Sequence, residues 1–374
     1  MIKPLGVNFA IRGAGMQPLP GSANVQGGVT LDLRRFIGID IMNGFVQGGT
    51  DELWGKVYEK LDAFGLSVTG SRSAIGGIGG RALQGGLSFF SSSEGFICDN
   101  ILSFEVVLAS GEIINANASD NEDLWRALKG VGNNQGIVTR FDIWTFKQGL
   151  IWGGTVFYFP SSFPSQLESL VKELHKPNTS KETHLMLSIG YSFLMGNSIM
   201  CLNQLYCTQV FENPPELDPF TKVQPQIDAL NIMRLHSVKD AAAEQSASGQ
   251  AQVRCAYMNI TVKADLGTLN AVSEIYTAEL KPLKGFENVT LSLTLQPYPV
   301  SLMEQSTELR GNSLGLGATE GPLVSILLLS CWESEEYDNA VLEIMKDALD
   351  KIKVDATERN QLVPFIYMNY AFRH

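Results

Sequence analysis

Gly76-Gly77-Ile78-Gly79-Gly80-Arg81-Ala82-Leu83-Gln84-Gly85-Gly86 places six glycines in eleven positions between two apolar segments. Each glycine costs regular structure up to about 1 kcal/mol relative to alanine, so this density requires a structural reason. One reason is close approach of the backbone to a ligand: without Cβ atoms, successive N–H groups can turn toward a pyrophosphate and form an anion-binding nest. The other is a set of tight turns and bulges with no ligand. Glycine content alone leaves both open.

A second glycine loop, Ile11-Arg12-Gly13-Ala14-Gly15-Met16, follows a strand-like apolar segment and invites a Rossmann reading. That reading fails. The fingerprint needs a third glycine where Pro18 stands, and no amphipathic helix follows. A Gly-x4-Gly-Lys-Ser/Thr phosphate loop and an HExxH zinc motif are both missing, which removes the common nucleotide-hydrolase and zinc-protease readings. What remains is a dinucleotide-like anion site built without a Rossmann unit.

Composition narrows the partners. With 28 Lys and Arg against 39 Asp and Glu, the formal charge of −11 repels a nucleic-acid backbone, so no nucleic-acid partner is expected. No stretch reaches the apolar length of a membrane span, and the segment Met1 to Asn8 does not read as a secretory leader, so a cytoplasmic protein with no membrane partner is expected. Cys98, Cys201, Cys207, Cys255 and Cys331 have neither zinc nor redox spacing and read as mostly buried thiols, with no metal site. His175, His184, His236 and His374 are scattered and read as surface or core residues. Sequons at Asn117, Asn178, Asn259 and Asn288 matter only in a secretory compartment.

At 374 residues and 44% hydrophobic content, two domains are expected. Glycines crowd the first 154 residues. There, Ile101 to Ala109 runs into a Ser110-Gly111 turn and returns through Glu112 to Ala116, a hairpin. A helix follows, with Asp120 as N-cap, Leu124 and Leu128 on one face and Gly130 as stop, and then a strand from Ile137 to Phe146. Beyond Leu150, Leu167, Leu170, Val171 and Leu174 keep helical spacing, as do Val341, Ile344, Met345 and Ala348. Strands are expected over Thr183 to Tyr191, Ile199 to Val210, Gln252 to Val262, Val289 to Leu295 and Leu323 to Cys331. An antiparallel sheet with helices on one face is the economical assembly, giving an α+β fold. Gly311 to Gly321 reads as a mobile loop at a cavity edge or as a plain surface connection.

The ordered blocks resemble one family. Ile11 to Met16 with Gly27 to Leu33, then Gly70-Ser71-Arg72, the glycine loop, Leu87 to Phe90 and Cys98-Asp99-Asn100 come first; Asp123 to Gly130 and Asn133 to Phe141 follow in the same order as in the FAD-linked oxidoreductases of the vanillyl-alcohol-oxidase type, with their PCMH-type FAD-binding domain. The style is closest to the berberine-bridge-like group, in its fungal secondary-metabolism form, and weakens between about 150 and 360. The resemblance implies a PCMH-type FAD-binding domain over 1–149, a substrate domain over 150–362 with an antiparallel sheet flanked by helices, and a return segment over 363–374. It assigns FAD contacts to Arg12, Gly13, Ala14, Gly15 and Met16, to Gly70, Ser71, Arg72, Ser73, Gly76, Gly77, Gly79, Gly80 and Gly86, and to Gly136, Ile137 and Val138. Tyr367-Met368-Asn369-Tyr370 matches the family's Tyr-x-Asn-Tyr segment, making Tyr370 the implied general base and Asn369 a flavin contact. A hydrogen-bonded tyrosine at a strand end is the alternative. The implied reaction is oxidation of an alcohol, sugar or secondary metabolite by hydride loss to flavin, with O2 as acceptor.

Two departures matter. Many relatives bind FAD covalently through a histidine at the position of Met16 and a cysteine at that of Ser73; a thioether and a hydroxyl make neither bond, so non-covalent FAD is expected. The family also has further residues before the first strand and after the Tyr-x-Asn-Tyr segment, so this chain reads as truncated at both ends, with weakened FAD binding as the expected result. A non-redox or inactive member that binds or cyclises a small molecule is the alternative to an active oxidoreductase.

Overall fold

A computed structural model describes residues 6–193, 196, 198–247 and 254–371. His374, and Gln252 at the start of the strand expected there, lie outside the described residues. The chain divides into two compact units: Met1–Leu150 with His236–Ser248 and Glu304–Gly315, and Ile151–Leu235 with Gly249–Met303 and Leu316–His374. The fold is α+β, with mixed helices and antiparallel sheets. Among the described residues no helix is long and apolar enough to cross a membrane.

In the first unit, β1 (Phe9–Arg12) and β2 (Val29–Asp32) form a parallel pair. The main sheet is built from β3 (Ile39–Ile41), β4 (Phe45–Gly49), β6 (Ile101–Val107), β7 (Ile113–Asn117) and β8 (Ile137–Lys147) in the order β3-β4-β8-β6-β7, with β5 (Leu66–Val68) on the far end of β8. β8 is the hub because its pattern suits a two-sided position: Phe141, Ile143 and Thr145 are buried, while Arg140 and Asp142 are half-buried and face ion-pair and amide partners. Phe141 packs edge-to-face on Phe104 of β6 at 5.5 Å. The expected hairpin is present as β6–β7, with Gly111 at φ +90° in its turn. The following helix is Glu122–Leu128, and its start differs from expectation. Asn121, not Asp120, is the N-cap, in a left-handed conformation (φ 55°) with no side-chain cap; Asp120 instead offers its carbonyl to the Asn117 N–H at 2.8 Å. Asparagine tolerates that backbone where other side chains do not.

The first part of Gly311–Gly321 is tied down, which suits the plain connection of the two alternatives and not the mobile loop. Asn312 donates to Asp99 Oδ1 at 2.8 Å, Ser313 N–H to the Lys129 carbonyl at 2.8 Å and Ser313 Oγ to the Arg126 carbonyl at 2.9 Å. The anchor beneath is a buried cluster. Asp99, pushed up by burial, accepts from Ser306, Asn312 and the Phe96 N–H; Lys129 donates to the Asp99 and Leu309 carbonyls and stands 3.6 Å from the Trp125 ring centre. Burial pulls the Lys129 ammonium down to about 8, from 10.5. Between those two values the unfolded chain holds a proton that the folded chain has released, so stability rises with pH across that window, by on the order of 3 kcal/mol. Urea unfolding at the two ends of the window should show this rise, and Lys129→Met should remove most of it; an equal rise in both proteins would contradict the assignment.

The second unit is one eight-stranded sheet. Its strands are β9 (Ile151–Tyr158), β10 (Thr183–Ser192), β11 (Ser198–Cys207), β12 (Ile232–His236), β13 (Arg254–Lys263), β14 (Thr290–Tyr298), β15 (Leu323–Trp332) and β16 (Leu362–Val363), in the order β12-β9-β11-β10-β14-β15-β13-β16. Alternate residues of the inner strands, among them Leu187, Ile189, Leu291, Leu293, Ile326 and Leu328, join one core with the helices Phe163–Leu174, Leu266–Glu279 and Asp338–Glu358. Leu167, Leu170 and Leu174 on the first of these, and Val341, Met345 and Ala348 on the last, supply the helical side of that core at the spacing read from sequence. Each fully buried aliphatic side chain of this kind contributes roughly 1.5–3 kcal/mol.

The cysteines need a correction. Cys98, Cys201 and Cys207 are buried thiols, but Cys255 and Cys331 form a disulfide. They are 76 residues apart in sequence, yet they stand directly opposite each other in the β13–β15 ladder with Cα atoms 4.2 Å apart. Spacing along the chain carries no trace of such a pairing; it depends on strand register.

Candidate flavin site and the tyrosine cluster

The turn after β1 carries a run of backbone donors, half-buried at Gly13 and Ala14 and exposed at Gly15 and Met16. Gly13, Ala14, Gly15 and Met16 have no hydrogen-bonding partner for their N–H groups among the described residues, and Gly15 sits at φ +66°, the conformation that lets successive amides converge. Arg12, at the end of β1, does not extend a free charge into this turn. Its guanidinium pairs with Asp32 on β2, which Arg34 also holds, and the two cations, Arg34 foremost, keep the Asp32 carboxyl far below its ordinary range. Beside the turn, Asp51 Oδ1 is buried without a hydrogen-bond partner, 3.8 Å from where a Cβ on Gly13 would stand. Burial, then the nearby Asp32 and Glu52, push the Asp51 carboxyl up.

The dense glycine segment is less of a ligand loop than its composition suggests. Residues Ile78–Leu83 form a short helix whose first two N–H groups already donate to protein: Ile78 to the Glu52 carbonyl at 2.9 Å and Gly79 to the Thr50 carbonyl at 3.0 Å. Most of its glycines answer to internal packing. A Cβ on Gly77 would lie 2.7 Å from the Ala14 Cβ, one on Gly79 2.5 Å from Thr50 Oγ1, one on Gly76 2.7 Å from Arg81 Nε and one on Gly86 2.6 Å from Ile97. Gly80 differs. It is exposed, and nothing lies within 4 Å of its Cβ position.

The Gly70–Ser73 segment is clamped from two sides. A Cβ on Gly70 would strike the Trp54 ring at 2.4 Å, and the Tyr58 hydroxyl donates to the Ser71 carbonyl at 2.8 Å, so the helix Trp54–Asp62 holds one side. On the other, Ser73 Oγ and the Ala74 N–H meet Ser246 Oγ at 3.1 and 2.9 Å, from the helix Val238–Ala247. Ser71 and Arg72 are buried. Gly136 packs against β6, where a Cβ would come 2.6 Å from Val106; Ile137 and Val138 pair with Val107 and Val106 as the first residues of β8. Met16 is exposed, and neither it nor Ser73 offers a thiolate or imidazole.

In the second unit, Asn369 and Tyr370 lie in the turn Met368–Tyr370. Tyr367 anchors that turn: its N–H donates to Asn259 Oδ1 at 2.8 Å, its carbonyl accepts from Asn259 Nδ2 at 3.1 Å, and its hydroxyl accepts from Asn369 at 2.9 Å. Asn259, one of the sequons, is thus fully buried and structural. The Tyr370 ring meets Tyr367 edge-on at 4.8 Å and Tyr257 of β13 at 6.1 Å. Its hydroxyl is 3.3 Å from both Oε1 and Nε2 of Gln296 on β14, so one amide offers an acceptor and a donor to the same phenol oxygen. Sequence reading names Tyr370 and Asn369 but not the Gln296 and Tyr257 that the structure places against Tyr370. The signal for Gln296 was weak: an amide following the alternating run Thr290 to Leu295, at a position that is buried. Of the described histidines, His184 and His236 are buried and His175 caps its own helix end, 2.9 Å from the Val171 carbonyl.

Comparison with known proteins agrees with this geometry. Residues 2–117 match the model of an FAD binding domain. The chain is 33% identical, over 97% of its length and 72% of the relative's, to the FAD-dependent monooxygenase tpcD of Cochliobolus heterostrophus. Among solved structures it is similar to 6-hydroxy-D-nicotine oxidase from Arthrobacter nicotinovorans (TM-score 0.80, 17% identity, 99% of this chain and 79% of that one). A further neighbour is BBE-like #28 from Arabidopsis thaliana (TM-score 0.77, 17% identity, 99% and 77%). On the fungal relative and the FAD-binding-domain match, the chain belongs to the FAD-dependent oxidoreductases, and it shares its fold with the nicotine oxidase and with BBE-like #28.

Proposed function

We propose that the chain binds FAD reversibly through its first unit and oxidises a small oxygen-bearing organic molecule, an alcohol, sugar or secondary metabolite, with O2 as the terminal acceptor. The observation that carries the proposal is the run of backbone donors from Gly13 to Met16, left without partners among the described residues next to Gly77, whose Cβ position lies 2.7 Å from the Ala14 Cβ. Arg72 and the Gly70–Ser73 backbone, clamped by two helices, are the second contact, and Gly136 to Val138 the third.

FAD held by the Gly13–Met16 amides, the Gly70–Ser73 backbone and Gly136 to Val138 would supply the hydride acceptor and the route for the two electrons to O2. The rest is the work of this chain's residues. Tyr370 takes the substrate hydroxyl proton as the adjacent carbon loses hydride, leaving a carbonyl product. Gln296 steadies the phenol oxygen in either protonation state, as acceptor through Oε1 or as donor through Nε2. The Asn259–Tyr367–Asn369 bonds fix the turn that carries Tyr370, so the base is held by side chains that do not themselves react.

Reversible binding follows from Met16 and Ser73, which cannot form the bonds a histidine and a cysteine would. Acid precipitation of FAD-loaded protein should release all of the yellow colour into the supernatant. A yellow pellet would refute the non-covalent assignment. Activity is tested by anaerobic bleaching of the flavin band with a hydroxylated substrate and its return on admitting air.

A further inference from the structure

We infer that Ser246 is a positioning residue for the cofactor: it takes the proton of the Ser73 hydroxyl and so presents Ser73 Oγ to FAD as an acceptor, a partner for an O–H or N–H group. This deepens the proposed function and rests on it, since Ser73 belongs to the second of the three proposed contacts.

Residues 67–72 and 76–79 are buried, and between them Ser73, Ala74 and Ile75 are half-buried. Of those three, only Ser73 has a polar side chain. The opening is held through the backbone of Ala74, which is fixed at both of its polar groups and from two helices. Its carbonyl accepts from the Gly55 N–H at 2.9 Å, on the helix Trp54–Asp62. Its N–H lies 2.9 Å from Ser246 Oγ and 3.1 Å from the Ala242 carbonyl, both on the helix Val238–Ala247. That second helix comes so close because the face it buries carries small side chains, with Ala241, Ala242 and Ser246 at one-turn spacing. In its first turn Lys239 pairs with Glu59 of the other helix at 2.8 Å, so the two helices are tied to each other as well as to the loop.

The polarity of Ser73 follows from the protons of its neighbours. A serine hydroxyl has one proton to donate and two lone pairs. The Ser246 proton goes to the Ala242 carbonyl at 2.7 Å, which leaves its lone pairs for the Ala74 N–H and for the Ser73 hydroxyl at 3.1 Å. Ser73 is thus the donor of that bond. Its N–H is committed as well, to Ser71 Oγ at 3.1 Å, and its carbonyl accepts from the Gly76 N–H at 3.4 Å. What Ser73 retains for a ligand is the lone pairs of Oγ, and the groups of FAD that fit them are its donors, the ribityl hydroxyls and the flavin imide N–H. Ser246 acts on the cofactor through Ser73 and Ala74 and does not touch it.

FAD titration followed by flavin fluorescence makes the test, on wild type, Ser246→Ala, Ser246→Thr, Ser73→Ala and the double variant Ser73→Ala with Ser246→Ala. Ser246→Ala should raise Kd about tenfold, as the loss of one well-placed hydrogen bond does. The urea midpoint should hardly move, because alanine suits a helix and the Ala242 carbonyl still receives the Ala74 N–H. Ser246→Thr, which keeps the hydroxyl, should stay within about threefold of wild type. In the Ser73→Ala background the Ser246→Ala change should cost about twofold or less, since the group it acts through is gone. A serine that only supports the fold would give equal losses in both backgrounds. The inference is overturned by that result, or by equal Kd values for wild type and Ser246→Ala. Should Ser246→Ala not fold, Ser246→Cys, of similar shape and a poorer acceptor, carries the same expectation. Wild-type protein that takes up no FAD refutes the proposed function and this inference with it, an outcome read before any variant is measured.

Discussion

Tyr370→Phe should lower kcat of the FAD-loaded enzyme by a factor of about 10² to 10⁴, the usual worth of a positioned general base, while FAD affinity and the unfolding midpoint stay close to wild type. The ring would remain. Its edge-on contact with Tyr367 at 4.8 Å and its approach to Tyr257 at 6.1 Å need no hydroxyl, so packing is preserved and only the oxygen facing Gln296 is lost. Gln296→Leu separates a positioning role from a structural one. It removes both the donor and the acceptor that meet the phenol oxygen, so the pH profile of kcat should move while KM changes little. Stopped-flow flavin reduction reads both variants directly. A Tyr370→Phe enzyme that reduces its flavin at the wild-type rate would remove Tyr370 from the chemistry.

Gly80→Leu should abolish FAD binding, by about a hundredfold or more in Kd, without cost to the fold. The glycine is exposed and its Cβ direction is empty, so the protein alone gives no reason for a missing side chain. On the proposed function, a leucine there would occupy space that the cofactor's diphosphate needs. Gly79→Ala is the control with the opposite signature. Its Cβ would lie 2.5 Å from Thr50 Oγ1 and 3.0 Å from the Thr50 carbonyl, so it should lose about 1–3 kcal/mol of stability by overpacking. Flavin-fluorescence titration and thermal unfolding of the two variants give the comparison. Wild-type FAD affinity in Gly80→Leu would place the cofactor somewhere else.

The contrast between these neighbouring glycines shows where sequence was legible and where it was not. Elements with strong periodicity were read well: the β6–β7 hairpin, β8, β10, β14 and β15 lie within a few residues of expectation, and the helices around Leu170 and Met345 bury the faces that their spacing indicated. Short or weakly patterned elements were not read, such as β12 and the helix Val238–Ala247, whose run of alanines carries little amphipathic signal. Glycine density does not give the division of labour within the loop. Whether a glycine exists to admit Thr50 or to admit a ligand depends on atoms far along the chain. The same limit hid the Cys255–Cys331 bridge and Gln296, which register brings to their partners across 76 and 74 residues. Asp120 failed as a cap because Asn121 could take the left-handed backbone, a competition that propensity alone does not rank.

The resemblance in ordered motifs did what periodicity could not. It assigned Tyr370 and Asn369 from a four-residue segment, and the structure brings both to one hydrogen-bonded turn. It also named Arg12 as part of the diphosphate loop, whereas the Arg12 guanidinium is turned to Asp32; the amides that follow it are the groups left to hold an anion.

Isothermal titration of FAD into the folded wild-type chain addresses the central assignment most directly. The account predicts saturable heat at one site per chain, lost in Gly80→Leu. Folded wild-type protein that, titrated with FAD, gives no measurable heat and no change in flavin fluorescence would contradict it.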